Sequence, residues 1–412
     1  SGKEVNGSVN VPVIEDVIFL RAAGFFRKQN GYIENTPGSS LNGVNNYGGK
    51  ISINILPFYN HKINLTANYI GSNHNGIGMI NPWMPDSMGN AEFYRTSTSL
   101  DGIDNKGFKQ EFLDAVLTYK IYRSENKYWT SISSYRKSRT SDIWDADGTA
   151  LSAFGLKNDA NGSLFYQEIR FNFSRRSRNN GSLGVSYMRA VKSSSNYVNS
   201  NDKFIYEILT YPGNFLMPED NRFPVKPQPL DPEPMNDIPL SGAHSEYFSD
   251  ERKTGSYQAY IHLTHQLTRR IFFTGGARAS YNRLKLWQEA ASVEGSPSVL
   301  GNYTGASPNL IYKPSEGQTL TNNSLNVTGQ AGLTYRWNEN FNFFINALYA
   351  RKPGLLQFTW DSRKQMLDAE TVKGLEAGWK FFLSGRLFFN VTGYYREHEN
   401  ISAVLWRASS GD

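Results

Sequence analysis

The chain has 412 residues, of which 39% are apolar, 19% charged and 14% aromatic, and its 43 basic and 37 acidic side chains give a net charge of +6. It contains no cysteine, which excludes a disulfide scaffold, a thiolate zinc site and a cysteine nucleophile. No apolar stretch approaches the roughly 18–20 residues of a spanning helix, so a helical membrane protein is excluded. The basic excess is small for this length and gives little support to nucleic-acid binding. The 25 Phe, 24 Tyr, 8 Trp and 36 Gly in an otherwise polar chain are not typical of a helical enzyme.

Apolar and polar residues alternate along most of the chain with the two-residue period of a β-strand. In residues 62–69, Ile63 and Leu65 lie on one face of such a strand, and Asn64 and Thr66 lie on the other. An amphipathic helix would instead place its apolar residues three and four positions apart. The pattern predicts an all-β protein with strands, in chain order, near 5–13, 16–28, 49–57, 62–70, 109–121, 128–137, 164–174, 182–191, 255–267, 270–283, 324–335, 340–350, 371–383 and 386–397.

The lengths of these elements point to a membrane. Most predicted strands are close to the roughly 9–11 residues that a tilted strand needs to cross a bilayer. Short connections, such as Ile14-Glu15 and Ser384-Gly385, alternate with long ones near 29–48, 71–108, 138–163, 192–254, 284–323 and 351–370. This rhythm is typical of an antiparallel transmembrane β-barrel with short periplasmic turns and long extracellular loops, an apolar outer face and a polar lumen.

The predicted polar faces and long loops supply two sets of candidate site residues. The lumen-lining candidates are charged: Arg21, Glu168, Arg170, Arg278, Glu376 and Lys380. They have two interpretations, as charge ladders within the wall or as the lining of a polar passage. The extracellular loop candidates are aromatic or arginine residues suited to stacking and ion pairing with an anionic ligand: Trp83, Tyr94, Arg95, Trp144, Tyr247, Arg252, Tyr303, Tyr312 and Trp360. Their alternative role is packing within the loops.

The sequence contains no complete motif of a catalytic site or of a metal site. There is no G-x-S-x-G motif, and residues 43–50 only approach a phosphate-binding loop, because they lead into a strand. Asp142, Asp145 and Asp147 with Gly148 resemble part of a calcium loop, but the twelfth position is Ala153 where a bidentate Glu is needed. We therefore expect no catalytic residue, no metal site and no cofactor. The proline-rich residues 211–240 are interpreted as a loop over the barrel mouth, with a linker as the alternative.

Several motifs together resemble the barrel of a TonB-dependent outer-membrane receptor. They are Phe19–Arg27, Ser131–Arg136 followed by Asp145–Gly148, Tyr166–Phe171, Gly275–Arg278, Gly374–Lys380 and Gly393–Arg396. Tyr166-Gln167-Glu168-Ile169-Arg170-Phe171 is the most specific of these, and the order of the matches covers nearly the whole chain. The turn Arg351-Lys352-Pro353-Gly354 is shorter than the family's, and Ala279 stands where a tyrosine is common.

The resemblance implies what the chain is part of. Such receptors have 22 strands, an N-terminal plug inside the barrel and a short segment that contacts TonB. The resemblance therefore implies that the charged lumen-lining candidates also contact the plug and that the loop candidates contact a ferric chelate. We expect residues 1–412 to be a partial barrel of about 14 strands, without the plug and without the last strands. A sheet of this size alone would leave open edges in lipid.

The resemblance also implies a function in which no covalent bond is made or broken. It implies a receptor in the outer membrane of a Gram-negative cell that binds a scarce ligand, most commonly a ferric siderophore, and imports it with energy from TonB. The partners would be the lipid bilayer, lipopolysaccharide, TonB and the ligand, and no nucleic acid. Import of cobalamin or an oligosaccharide, and a passive pore or structural barrel, are the alternatives.

Overall fold

A computed structural model describes residues 1–35, 40–81, 97–98, 107–175, 178–210, 240–354, 356–358, 364–383 and 387–401. Fourteen antiparallel strands form one curved sheet in which every neighbour in space is the next long strand in sequence. This meander confirms the all-β, antiparallel transmembrane barrel predicted from the alternation. Among the described residues, neither helix is long and apolar enough to span a membrane.

The elements follow one another in a simple order. The sheet consists of β1 (Gly2–Ile14), β2 (Ile18–Gln29), β4 (Val44–Ile55), β5 (His61–His74), β7 (Gly107–Ser124), β8 (Lys127–Asp145), β9 (Phe154–Arg175), β10 (Asn179–Asn201), β11 (Ala243–Gln266), β12 (Ile271–Gly295), β13 (Ser315–Asn338), β14 (Phe341–Lys352), β17 (Glu370–Leu383) and β18 (Leu387–Glu399). The short strands β3 (Glu34–Asn35), β6 (Ser97–Thr98), β15 (Leu356–Phe358) and β16 (Lys364–Met366) and the helices α1 (Asp202–Thr210) and α2 (Gly301–Thr304) lie in the long connections.

The two faces of the sheet differ in polarity and in exposure. On β11, Tyr257 and Ile261 are 59% and 51% exposed, whereas Ser256 on the other face is 1% exposed. The register carries this division across the sheet, because Ser256 faces Asn282 of β12 and Ile261 faces Ala277. The apolar, exposed face is the convex outer wall toward lipid, and the polar face is the concave lumen wall.

Aromatic side chains form two rows on the outer wall. Near the short turns, the rings of Trp129 and Phe171 lie 5.0 Å apart, and those of Phe341 and Phe381 lie 5.8 Å apart. Further along the strands, the register aligns Tyr187, Tyr257 and Tyr281, and the first two rings lie 4.9 Å apart. Aromatic rows at two levels are typical of the two membrane interfaces, and the apolar band between them is about 25 Å tall in such barrels.

The strands are longer than predicted at the end away from the short turns. β9 has 22 residues, β10 has 23, β11 and β13 have 24, and β12 has 25. The predicted strand near 182–191, for example, continues to Asn201. The prediction that Trp144, Tyr247 and Arg252 lie in loops is therefore wrong, because they lie on β8 and β11. Once a strand leaves lipid, its outer face becomes polar and the alternation that marks it in the sequence fades.

A buried carboxylate holds the connection 296–314 against the lumen wall at this extracellular end. The Glu246 side chain, 0% exposed, accepts hydrogen bonds from the backbone N–H groups of Leu310, Ile311 and Tyr312 at 2.6, 2.9 and 3.0 Å. His244 Nε2 lies 3.2 Å from the same carboxylate. Glu246 therefore supplies the acceptors for three consecutive N–H groups that could not otherwise be buried.

Other contacts fix the same connection. Asp202, at the start of α1 and 0% exposed, accepts from the backbone N–H of Val299 at 2.6 Å and from the Ser298 hydroxyl at 2.8 Å. The Tyr312 ring lies 5.2 Å from the ring of Phe248, and the Ser292 hydroxyl donates to Asn309 at 2.5 Å. Because Phe248 and Ser292 share the lumen face with Glu246, residues 296–314 fold inward over the upper lumen wall.

A charge on the outer wall should destabilise the barrel more than the same charge on the lumen wall. Ile261→Arg places a guanidinium in the lipid band and should reduce the free energy of unfolding by about 2–4 kcal/mol. The neighbouring change, His262→Arg, faces the lumen and serves as the matched control. Urea unfolding of the intact protein in lipid vesicles would measure both, and an equal loss for the two variants would contradict the assignment of the faces.

Removal of the Glu246 carboxylate should release residues 310–312. Glu246→Ala leaves the N–H groups of Leu310, Ile311 and Tyr312 without their acceptor. Loss of the buried bond at Leu310 costs about 1–3 kcal/mol, and loss of the two partly exposed bonds costs less. Amide hydrogen exchange at these residues should therefore accelerate by at least about tenfold. Glu246→Gln keeps one acceptor oxygen and should give a smaller effect. The control is Glu289→Ala, since Glu289 binds only the Tyr247 hydroxyl, at 2.7 Å, on the opposite face.

Candidate functional site

The lumen wall carries a cluster of polar side chains centred on Glu168. This carboxylate is 8% exposed and accepts a hydrogen bond from the Tyr260 hydroxyl at 2.7 Å and another from the Tyr166 hydroxyl. Arg170 Nη1 lies 3.4 Å from Glu168 Oε1. The period of two places Tyr166, Glu168 and Arg170 on one face of β9, and the register brings Tyr260 from two strands away. The cluster thus links β9 to β11 across the intervening strand β10, in the middle of the lumen wall.

Arg278 extends this cluster toward β12. Its guanidinium lies 5.4 Å from the centre of the Tyr260 ring, and the side chain is exposed to the lumen. A hollow of about 370 Å³ lies beside it, lined by Tyr260, His262, Gly276 and Gln330 among others. The predicted pair Glu168 and Arg170 is therefore a wall contact, while Arg278 keeps its hydrogen-bond donors free to meet a group inside the barrel.

The other predicted lumen residues lie where the alternation placed them. Arg21 faces Ser52 of β4, Glu376 faces Asn346 of β14, and Lys380 Nζ lies 5.5 Å from the Phe344 ring centre. Arg21 and Lys380 are exposed and Glu376 is half-buried. Within the described part of the chain none of the three forms an ion pair.

Two cations face each other on the lumen wall between the Glu168 cluster and residues 296–314. Lys192 of β10 and Arg252 of β11 are register partners on this face, and Leu286 is the partner of Arg252 on the other side. Lys192 is exposed and Arg252 is half-buried. Like charges directly opposite on neighbouring strands are destabilising. Asp250, the next lumen-facing residue of β11, accepts a hydrogen bond from the Ser194 hydroxyl and offsets only part of this charge, so the lumen wall is net positive at this level.

The predicted loop residues do not converge on one place. Trp144 and Arg252 face the lumen from β8 and β11, and Tyr312 lies in the inward-folded connection. Burial, and secondly the Glu246 carboxylate, raise the pKa of the Tyr312 hydroxyl above its ordinary value. Tyr247 lies on the outer wall, where its hydrogen bond to Glu289 raises the pKa of its hydroxyl. Tyr303 is 64% exposed on α2.

Several predicted residues lie outside the described part of the chain. These are the loop candidates Trp83, Tyr94, Arg95 and Trp360, and the proline-rich residues 211–239.

Sequence reasoning missed four residues of this wall. Tyr260 is the partner of Glu168, Lys192 is the partner of Arg252, and Glu246 and Asp202 anchor the connection 296–314. An aromatic residue on a polar face, as Tyr260 is between Gln258 and His262, was a usable signal. Lys192, Asp202 and Glu246 lie in a segment without alternation, which the sequence predicts to be a loop.

The aspartates that resembled a calcium loop form a turn instead. Asp145 Oδ1 accepts from the backbone N–H of Gly148 at 2.9 Å, and Asp147 accepts from the N–H groups of Thr149 and Phe154 at 2.9 and 2.7 Å. These two carboxylates therefore stabilise the turn by accepting hydrogen bonds from its backbone N–H groups. In the described ranges, no group of three or more His, Asp or Glu side chains is placed to hold a metal ion.

Three solved structures share this architecture at low sequence identity. The ferric yersiniabactin uptake receptor FyuA from Yersinia pestis matches with a TM-score of 0.67 and 12% identity, over 97% of this chain and 54% of that one. The ferripyoverdine receptor of Pseudomonas aeruginosa matches with a TM-score of 0.58 and 13% identity, over 97% and 47%. The siderophore receptor PiuA from Acinetobacter baumannii matches with a TM-score of 0.57 and 15% identity, over 95% and 54%.

The chain thus spans about half the length of the solved receptors that it matches, and at these identities the likeness establishes the fold alone. No curated protein matches the sequence. A family model described as "TonB dependent receptor-like, beta-barrel" matches residues 24–408, which is nearly the whole chain. The family and these neighbours are transport receptors and not enzymes. The chain belongs to the TonB-dependent receptor family, as part of its β-barrel.

Proposed function

We propose that this chain is the barrel wall of an outer-membrane receptor that binds a ferric siderophore outside the cell and imports it with energy from TonB. The observation that carries the proposal is the pair of cations, Lys192 and Arg252, on the lumen wall beneath the inward-folded residues 296–314. A ferric chelate with anionic oxygens has the charge that this position lacks. The solved neighbours include a ferric yersiniabactin uptake receptor and a ferripyoverdine receptor, which supports the same class of cargo.

The lower lumen wall would serve a different step. We propose that residues 1–412 surround a plug domain, and that Arg21, Arg278, Glu376 and Lys380 contact it. Their charged groups have no ion-pair partner among the described residues, and such groups are stabilised when a complementary surface approaches. The buried Glu168 cluster would keep this section of wall rigid while the plug moves. TonB would act on the plug from the periplasm, and the outer wall would contact lipid and lipopolysaccharide.

Energy-dependent uptake is the direct test of this function. A strain that lacks the gene, and the same strain with the intact gene restored, would be grown under iron limitation with single ferric chelates of the catecholate, hydroxamate and citrate classes. We expect uptake of radioactive iron from at least one chelate only in the restored strain, and loss of that uptake when a protonophore collapses the proton gradient that drives TonB.

The same measurement separates the alternatives. Uptake that persists with the protonophore would indicate a passive pore. The absence of any chelate-dependent difference would remove the siderophore proposal and direct the search to cobalamin or oligosaccharides.

The cation pair should determine affinity for the chelate. Lys192→Gln combined with Arg252→Gln removes two charge-assisted contacts, each worth about 1.5–3 kcal/mol, so the dissociation constant should rise by at least about a hundredfold. Binding of radioactive ferric chelate to whole cells that carry the intact protein would measure it. Lys157→Gln is the matched control, since Lys157 lies on the outer wall in an ion pair with Asp159 at 2.8 Å. Equal affinities for the unaltered protein, the double variant and the control would mean that the chelate does not bind at Lys192 and Arg252.

A further inference from the structure

Basic side chains face the lumen where the strands approach the short periplasmic turns. Four lie on the lumen faces of strands and two lie in turns, directly before β10 and β12, in line with the same alternation: Lys62, Lys120, Arg336 and Lys380, and Arg178 and Arg270. Lys120 is half-buried and the others are exposed. Within the described part of the chain none of the six forms an ion pair. We call this set the basic collar.

The register places cations of the basic collar next to one another. Lys62 of β5 and Lys120 of β7 are direct partners. The backbone N–H of Arg336 donates to the carbonyl oxygen of Arg270 at 2.7 Å, which sets these two residues side by side on neighbouring strands. One asparagine separates Arg336 from Lys380 in the same row. Like charges in such positions are destabilising unless an anion lies between them, so the basic collar attracts anions.

Aromatic rings hold three of these cations in place. The distances to the ring centres are 4.7 Å for Arg336 over Phe272, 5.5 Å for Lys380 over Phe344 and 5.8 Å for Lys120 over Tyr128. Each ring belongs to the neighbouring strand and lies diagonally across from its cation. A ring face attracts a cation but leaves its charge in place. The same arrangement, repeated on three pairs of strands, therefore orders the cations without neutralising them.

Carboxylates near this end of the sheet do not balance the basic collar. Four lie in the short turns themselves, are exposed and bind no collar residue: Glu15, Asp16, Glu125 and Glu339. On the lumen face, Glu376 precedes Lys380 by four residues, a rise of about 13 Å along the strand. Glu168 already accepts hydrogen bonds from Tyr260 and Tyr166. The described lumen wall is therefore net positive where it opens to the periplasm.

We infer that the basic collar is an electrostatic filter at the exit of the lumen, which favours passage of a ferric chelate with net negative charge. The inference rests on the proposed function, since the chelate must first be captured. Rings of Lys and Arg select anions in channels because they lower the energy of an anion in a confined passage. Lys192 and Arg252 carry the same sign at the upper level, so a chelate that leaves them meets positive charge again at the exit. At rest the basic collar would face the plug, and movement of the plug would expose it to the cargo.

The test separates capture from passage in cells that carry the intact protein. Arg270→Gln combined with Arg336→Gln should leave the surface affinity for a radioactive, negatively charged ferric chelate unchanged when a protonophore is present. The same variant should slow energised uptake by about tenfold, because two charges of the filter are lost. The control pair, Lys127→Gln with Lys137→Gln, removes the same charge from exposed, outward-facing positions on β8 and should import as the unaltered protein does.

A conservative variant separates charge from folding. Arg270→Lys with Arg336→Lys keeps both charges and should restore uptake. Failure of this variant to restore uptake, or unchanged uptake by the double glutamine variant, would overturn the inference. Surface affinity that falls as much as uptake would mean that the two arginines act in capture, and uptake that persists with the protonophore would mean that they only hold the plug; either result also overturns it. Failure of the proposed function would look different, because the unaltered protein would then bind no chelate at all.

Discussion

The structure depends on the requirement that every backbone N–H and C=O group in lipid has a partner within the protein. An unbroken antiparallel ladder meets that requirement for every strand between β1 and β18, the two strands at the edges of the described sheet, and its register is continuous through the lipid band. The ladder also imposes a period of two on the side chains. Each strand therefore has one face for lipid and one for the lumen, and all later features of the molecule are distributed between these two faces.

This constraint explains what could be predicted from the sequence. Within lipid, the outer face must be apolar, so a strand such as 255–267 shows Tyr257, Ala259 and Ile261 alternating with polar residues. The number, order and direction of the strands and the lumen position of Arg21, Glu168 and Arg278 follow from that alternation. Beyond lipid, both faces meet water. Residues 192–201 (Lys-Ser-Ser-Ser-Asn-Tyr-Val-Asn-Ser-Asn) carry almost no period, although they continue β10 with full pairing to β11.

The contacts that shape the extracellular end could not be predicted for a different reason. Glu246 and the N–H groups of residues 310–312 are brought together by folding of a connection that has no repeating pattern. Asp202 and residues 298–300 are nearly a hundred positions apart in the chain. A carboxylate in an apparently polar loop gives no sign that it will be buried. The sequence therefore predicted the strands of the wall, but not the connection that folds inward over it.

β11 shows how one strand can carry different functional groups on its two faces. On its lumen face, Glu246 accepts hydrogen bonds from the inward-folded connection, Arg252 carries a positive charge, and Tyr260 donates a hydrogen bond to Glu168. On its outer face it carries Tyr257, which belongs to the upper aromatic row, and the exposed Lys253 on the extracellular side of that row. Adjacent residues such as Arg252 and Lys253 thus lie on opposite sides of the wall, and the water on each side screens their charges from each other. Because the period of two keeps the faces apart, substitutions that alter ligand capture inside the barrel need not alter its contact with lipid, and each face is free to change alone.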